Sequence, residues 1–188
     1  WGWEHNPPKT AQEIRFKRWL IEQLAQTARI LHSSGANHRD FYLSHFLLHQ
    51  TEKKGAPSPE NCRISLIDLH RMRIHKPQLR AWIGAVLQGL WKRQRPQTPQ
   101  SETPSRWKMR DVSGLHYSSM DLGLSARDRL RFIRLYSGGS LRQALGQDRQ
   151  FWERVERRAN RLYAAEQRRS PDSELAAAQT LHSAGTQP

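Results

Sequence analysis

"GANHRDFYLSHFLLH" (residues 35–49) sets a glycine, the tripeptide His38-Arg39-Asp40 and an apolar run side by side. Upstream, "TAQEIRFKRWLIEQLAQTARILHSSG" (10–35) reads as a helix. Thr10 and Glu13 form a capping box, and Ile14, Leu20, Ile21, Leu24, Ala28 and Leu31 recur at helical spacing. Gly35 falls just past the last periodic residue, where a left-handed residue closes a helix. Downstream, "FLLH" (46–49) is a short strand candidate and "EKKGAPSPEN" (52–61) a Gly/Pro loop. "CRISLIDLH" (62–70) gives a second strand, with Ile64 and Leu66 on one parity and Ile67 on the other. The order is helix, polar turn, strand, loop, strand, acid. It brings Asp40 and Asp68 to one mouth.

Two acids so placed suit phosphoryl transfer, which asks little covalent work of a protein. It needs a carboxylate to orient the attacking hydroxyl and metal ions to neutralise the phosphate oxygens. Asp40, in a polar turn, fits the first role, with His38 and Arg39 supporting its loop. Asp68, at the end of an apolar strand, fits the second: backbone strain and burial fix it, and magnesium prefers hard oxygen ligands. A lone His-Arg-Asp is weak, because the tripeptide occurs by chance, and Asp40 then simply caps a turn while Arg39 pairs with a nearby acid. Behind a capped helix and ahead of a strand pair ending in "LIDLH" it is specific. His45 and His49 lie four apart, but with no third ligand they do not make a zinc site.

Bulk composition narrows the partners. The chain has 188 residues, one domain's worth, and begins at Trp1 rather than Met, as expected of a piece from inside a longer protein. Lys and Arg number 31 against 17 acids, a net charge of +14 that calls for an anionic partner: nucleic acid, an acidic membrane surface or a phosphate-rich substrate. The single Cys62 excludes a disulfide framework and is expected to be a structural thiol. The longest uncharged apolar-rich stretch, "AWIGAVLQGLW" (81–91), is too short to span a bilayer. Residues 78–94 carry an amphipathic stripe flanked by Lys76, Lys92, Arg93 and Arg95, and "RPQTPQSETPS" (95–105) is a Pro-rich linker. Ser125 and Asp128 open a further helix, and a basic helix comes after it at 149–169. From 170 to 188 the chain lacks large apolar residues and is expected to be a disordered tail. The class expected is α+β, mainly helical.

"GANHRDFYLSHFLLH", "LIDLHRMR" (66–73) and "RWKMRDVSGLHYSSMDLGLSARDRLRFIRLY" (106–136), with "NPP" (6–8) ahead of the long helix, resemble the lipopolysaccharide core heptose(I) kinase family, a bacterial branch of the protein-kinase-like fold. The likeness covers roughly residues 5–165, with a break. It implies an ATP- and Mg2+-dependent enzyme that phosphorylates the first heptose of the lipopolysaccharide inner core, at the cytoplasmic face of the inner membrane of a Gram-negative bacterium. Asp40 falls on that family's catalytic base and Asp68 on its metal-binding acid. His45 takes the slot of the general kinase Asn, a habit of this branch, either as a metal ligand or through a structural hydrogen bond to Asp40 or its loop.

Arg71, Arg73 and Lys76 would face the acceptor, and an acidic leaflet would suit the basic surface. Only 37 residues precede His38, with no Gly-rich nucleotide loop or strand Lys among them. The expectation is therefore a C-terminal kinase-like lobe over residues 1–169 with the N-terminal lobe missing, inactive by itself, and with 78–105 as an insertion. That insertion is read either as packing on the lobe or as an interfacial helix on the membrane. Other readings are a kinase-like enzyme on a different acceptor, or a non-catalytic basic module for RNA or anionic lipid. No nucleic-acid motif supports the RNA version, so no nucleic acid is expected.

Overall fold

Thr10 is extended at its backbone (φ −80°, ψ 156°), accepts the Glu13 N–H on its hydroxyl and donates its own N–H to the Glu13 carboxylate. That capping box opens α1 (Ala11–Ser33), in a computed structural model that describes residues 8–51, 55–75 and 103–169. Lys76, the amphipathic stretch 78–94, most of the linker and the tail 170–188 lie outside the described residues. Helix α1 buries Phe16, Leu20, Ile21, Ala25, Ala28 and His32, one stripe at helical spacing. Gly35 comes next at φ +79°, a left-handed position that a glycine takes without strain.

The chain then forms β1 (Ala36–Asn37), β2 (Phe46–Gln50), β3 (Cys62–Leu66) and β4 (Arg73–Ile74). β2 and β3 are an antiparallel hairpin in the register Phe46 to Leu66 through Gln50 to Cys62. β1 and β4 form a separate antiparallel ribbon, Ala36 opposite Ile74 and Asn37 opposite Arg73. The expected second strand is shorter than its apolar run. β3 keeps Cys62, Ile64 and Leu66 on its inward parity and ends there; Asp68 turns left-handed, and Leu69 starts a 3-10 turn (Leu69–Arg71) with its side chain exposed.

Among the described residues four further α-helices follow: α2 (Ser105–Tyr117), α3 (Ala126–Ser137), α4 (Leu141–Gln147) and α5 (Arg149–Gln167). Ser125 and Asp128 cap α3 reciprocally, as their spacing predicts. Helix α2 has no comparable signature. Its buried residues run round a whole turn, Asp111, Val112, Ser113, Gly114 and Leu115, a carboxylate and a hydroxyl among them. Before α2, Thr103 donates its hydroxyl to the Ala36 carbonyl at 2.6 Å and its N–H to the His32 carbonyl at 3.0 Å, tying the chain's return to the end of α1.

Two apolar clusters hold these elements. Ala28, Phe41, Phe46 and Leu115 form one, lined by Leu24, Leu31, Phe132 and Tyr136; Phe16, Leu20 and Cys62 form the other, with Trp19 and Leu48. Cys62 is a buried free thiol, the structural role expected. Phe41 anchors the segment that carries Asp40, because it is the very next residue and is only 1% exposed. Burying such a ring contributes about 1.5–3 kcal/mol. That is comparable with the roughly 1–3 kcal/mol cost of the unusual backbone two residues earlier.

Candidate active site

The unusual backbone is at Arg39, whose φ of +77° is left-handed and strained for a residue with a long side chain. It reverses the chain between the buried His38 and Asp40. Asp111 on α2 pins this reversal. Its carboxylate, fully buried, accepts the His38 N–H at 2.7 Å on Oδ2 and the Arg39 N–H at 3.0 Å on Oδ1. The His32 Nε2–H adds a third bond at 3.3 Å, and the Tyr136 hydroxyl donates to His32 Nδ1 at 2.8 Å. A buried carboxylate needs such donors, and the chain gathers them from the end of α1 and from the reversal itself.

The second turn carries the other strained residue, Asp68 at φ +63°. Aspartate tolerates this region better than most residues. The two turns are joined by both histidines of the first. His38 Nε2–H donates to the Ile67 carbonyl at 2.9 Å. His45 donates Nδ1–H to the Asp40 carbonyl at 2.5 Å, while its backbone carbonyl accepts the Ile67 N–H at 2.9 Å. With Nδ1–H engaged, His45 turns its Nε2 towards Asp68 Oδ2, 3.6 Å away. Asp68 is not fixed by burial as its strand position suggested: its side chain is one-third exposed, and its Oδ1 contacts His70 Nδ1. Strain and these imidazoles hold it instead.

Asp40 is the better sheltered acid, 15% exposed at its side chain, and Arg71 Nη1 binds its Oδ2 at 2.6 Å. The structure thus brings together His38, Arg39, Asp40, His45, Asp68 and Arg71. Arg73 is not in that group. It lies on β4 opposite Asn37, next to His75, whose pKa is lowered by burial and by the positive charge of Arg73 and Arg106. The neutral His75 donates Nε2–H to Asn37 Oδ1 at 2.8 Å. Asp111 escaped the reading of the sequence. Its signal was a single carboxylate on the arc of α2 that also holds Val112 and Leu115, where an apolar residue belongs.

Chemically, the site offers one sheltered carboxylate oriented by an arginine and one open carboxylate next to an imidazole. Hard oxygen plus imidazole nitrogen on an open face is a donor set that fits magnesium through Asp68, with waters completing the shell. Among the described residues, no group of three or more His, Cys, Asp or Glu side chains converges as a complete metal cage.

Comparison with known proteins gives the family of this chain. The model of the lipopolysaccharide kinase (Kdo/WaaP) family matches residues 5–103. The lipopolysaccharide core heptose(I) kinase WaaP of Pseudomonas aeruginosa is 35% identical over 166 residues, 88% of this chain and 50% of that protein. Its counterpart from Escherichia coli K12 is 34% identical over 167 residues, 89% of this chain and 51% of that protein. A solved structure of WaaP in complex with acyl carrier protein superposes with a TM-score of 0.64 at 33% identity, over 86% of this chain and 54% of that one. The chain therefore spans about half the length of the curated relatives it matches. The family match takes in Asp40 and Asp68, the two acids that the two strained turns present together, and the chain belongs to the lipopolysaccharide kinase (Kdo/WaaP) family.

Proposed function

We propose that residues 1–169 form the C-terminal lobe of a protein-kinase-like fold, and that the protein to which they belong phosphorylates the first heptose of the lipopolysaccharide inner core from ATP. The observation that carries this reading is the junction of the two strained turns through His45, which sets Asp40 and Asp68 at one site. Asp40 accepts the proton of the sugar hydroxyl, and Arg71 fixes Oδ2 so that Oδ1 is left for the acceptor. Asp68, with His45 beside it, would hold Mg2+, which when bound would neutralise phosphate charge. Asp111 keeps the His38–Arg39 reversal in register, so that Asp40 is presented without searching.

The inner membrane's cytoplasmic face is the proposed place of work, where an anionic leaflet and a phosphate-bearing acceptor both favour a chain of charge +14. No helix among the described residues is long and apolar enough to cross a membrane. Acyl carrier protein, the partner of the solved relative, is proposed as a partner here as well. In its favour, an apolar hollow of about 810 Å³ opens between α1, α2, α3 and α5, lined by Leu20, Leu24, Val112, Phe132, Trp152 and Val155. Residues 1–188 alone are expected to be inactive, since kinases need a second lobe to cover the nucleotide.

The test is phosphate transfer by the full-length protein. With Mg-ATP and heptose-containing lipopolysaccharide, mass spectrometry of the core should show one added phosphate, lost in Asp40→Ala and Asp68→Ala. A folded, ATP-binding protein that leaves the core unmodified would redirect the reading to another acceptor.

A further inference from the structure

Tyr42 lies two residues beyond Asp40, and its N–H donates to the Asp40 carbonyl at 3.0 Å. Its ring is held in place from three sides. A Cβ on Gly114 of α2 would come within 3.2 Å of Tyr42 Cε1, so the ring packs on bare helix backbone. The Tyr117 ring meets it edge-on, centroids 6.1 Å apart at 80°, and the His45 ring lies 6.2 Å away. The Tyr117 hydroxyl donates to Glu166 Oε2 on α5. That bond, with burial and the Glu166 charge, pushes the phenol's pKa up to about 12, which keeps it a neutral donor.

Tyr42, Tyr117, Leu162, Glu166 and Arg169 border an open hollow of about 730 Å³. Phosphoryl transfer at Asp40 and Asp68 uses none of them. Yet the hollow begins at the residue that binds the backbone of the proposed base. It joins aromatic surface to a rim with a carboxylate, which accepts, and a guanidinium, which donates. A sugar ring has the complementary make-up: a face of C–H groups that settles on an aromatic ring, and an edge of hydroxyls that both donate and accept. A purely apolar ligand would leave the charged rim unanswered, and a bare anion would be repelled by Glu166.

We propose that this hollow is a saccharide subsite, holding a ring of the oligosaccharide acceptor on Tyr42 and Tyr117 with Glu166 and Arg169 on its hydroxyls, beside the sugar that reaches Asp40. The proposal rests on the sugar-kinase reading and names how that acceptor is held. Tyr42 and Gly114 are the parts that make the platform rigid. Glu166 and Arg169 are exposed, so their replacement does not threaten the fold.

The experiment uses the full-length protein and two readouts. Tyr42→Leu, Glu166→Gln and Arg169→Ala are compared with wild type for KM towards the lipopolysaccharide acceptor and towards ATP. In parallel, saturation-transfer NMR tracks delipidated core oligosaccharide on the nucleotide-free protein. The expected result is an acceptor KM raised at least about fivefold, an ATP KM unchanged, and weakened oligosaccharide saturation; Tyr42→Phe, which keeps the ring, restores both. Folded variants whose acceptor KM stays within about fivefold of wild type and whose oligosaccharide signal is undiminished would overturn the subsite. Wild-type protein that transfers no phosphate would fail the kinase reading instead. The NMR comparison would then judge the subsite alone: oligosaccharide binding lost in Tyr42→Leu supports it, and no binding by wild type overturns it.

Discussion

Asp111, standing on α2, receives donors from the end of α1 through His32 and from the reversal at His38 and Arg39. Removing it would leave the buried N–H of His38 and the half-buried N–H of Arg39 without acceptors. Asp111→Ala is accordingly expected to lower stability by about 2–5 kcal/mol, measured by urea denaturation. Asp111→Asn, which keeps one carbonyl oxygen, should lose less. An alanine variant within about 0.5 kcal/mol of wild type would contradict this placement. At this scale the sequence was only partly legible. Asp40 and Asp68 stood out because a tripeptide and an apolar run flanked them. The strain expected at Asp68 is there, but the left-handed backbone of Arg39 did not stand out, since it is no glycine and is held by bonds to Asp111, distant in the chain. The sequence left His45 two possible roles; its ring donates to the Asp40 carbonyl, and its Nε2 still faces Asp68.

Between elements, α2 comes close to the first turn. A Cβ on Gly114 would meet the Phe41 carbonyl oxygen at 3.2 Å as well as the Tyr42 ring. In an ordinary helix Gly→Ala raises stability by up to about 1 kcal/mol. Gly114→Ala is expected to bring no such gain, because the atom in the way is backbone, and to raise the acceptor KM by displacing Tyr42. Thermal unfolding and transfer kinetics check both halves. Elsewhere, Lys17 of α1 binds Asp128 of α3 at 2.8 Å, with the carboxylate 5% exposed. Burial would raise the pKa of Asp128, but the bonds from Lys17 and Ser125 outweigh it and hold it below its usual value. A lowered pKa means stability that is present above the unfolded value, near 3.9, and lost as pH falls through the folded one. Denaturation from pH 6 down to pH 2 should therefore show a smaller acid loss in Asp128→Asn than in wild type. The helices bounded by capping boxes, α1 and α3, were legible from four letters each. Helix α2 was not, because its buried turn mixes Asp111, Ser113 and Gly114 with Val112 and Leu115 and so shows no clean hydrophobic period.

Over the whole molecule, charge is unevenly used. Arg154, Arg157 and Arg161 run along one face of α5, away from the buried Val155 and Ala159. Each returns its Nε–H to the carbonyl four residues earlier, and among the described residues no ion pair joins these three to an acid. They form an exposed basic ridge suited to the proposed anionic leaflet. Near such a surface each charge contributes about 1 kcal/mol, so replacing all three by Gln should weaken binding to vesicles rich in anionic lipid by roughly a hundredfold at low salt. Equal binding in co-sedimentation would remove the ridge from the membrane reading. Composition announced the need for an anionic partner but not where the charge would gather, since position around a helix depends on which face packs. The helix expected at 78–94 lies outside the described residues.

The division of labour between the two acids is tested most directly by Mg2+-dependent ATP binding and phosphate transfer, measured side by side on the full-length protein as wild type, Asp40→Asn and Asp68→Asn. Asp40→Asn should bind Mg-ATP as wild type does and transfer nothing measurable to heptose. Asp68→Asn should lose the Mg2+ dependence of nucleotide binding together with transfer. A folded Asp40→Asn protein that still phosphorylates the core, or an Asp68→Asn protein with unchanged Mg2+ dependence, would contradict the site as assigned.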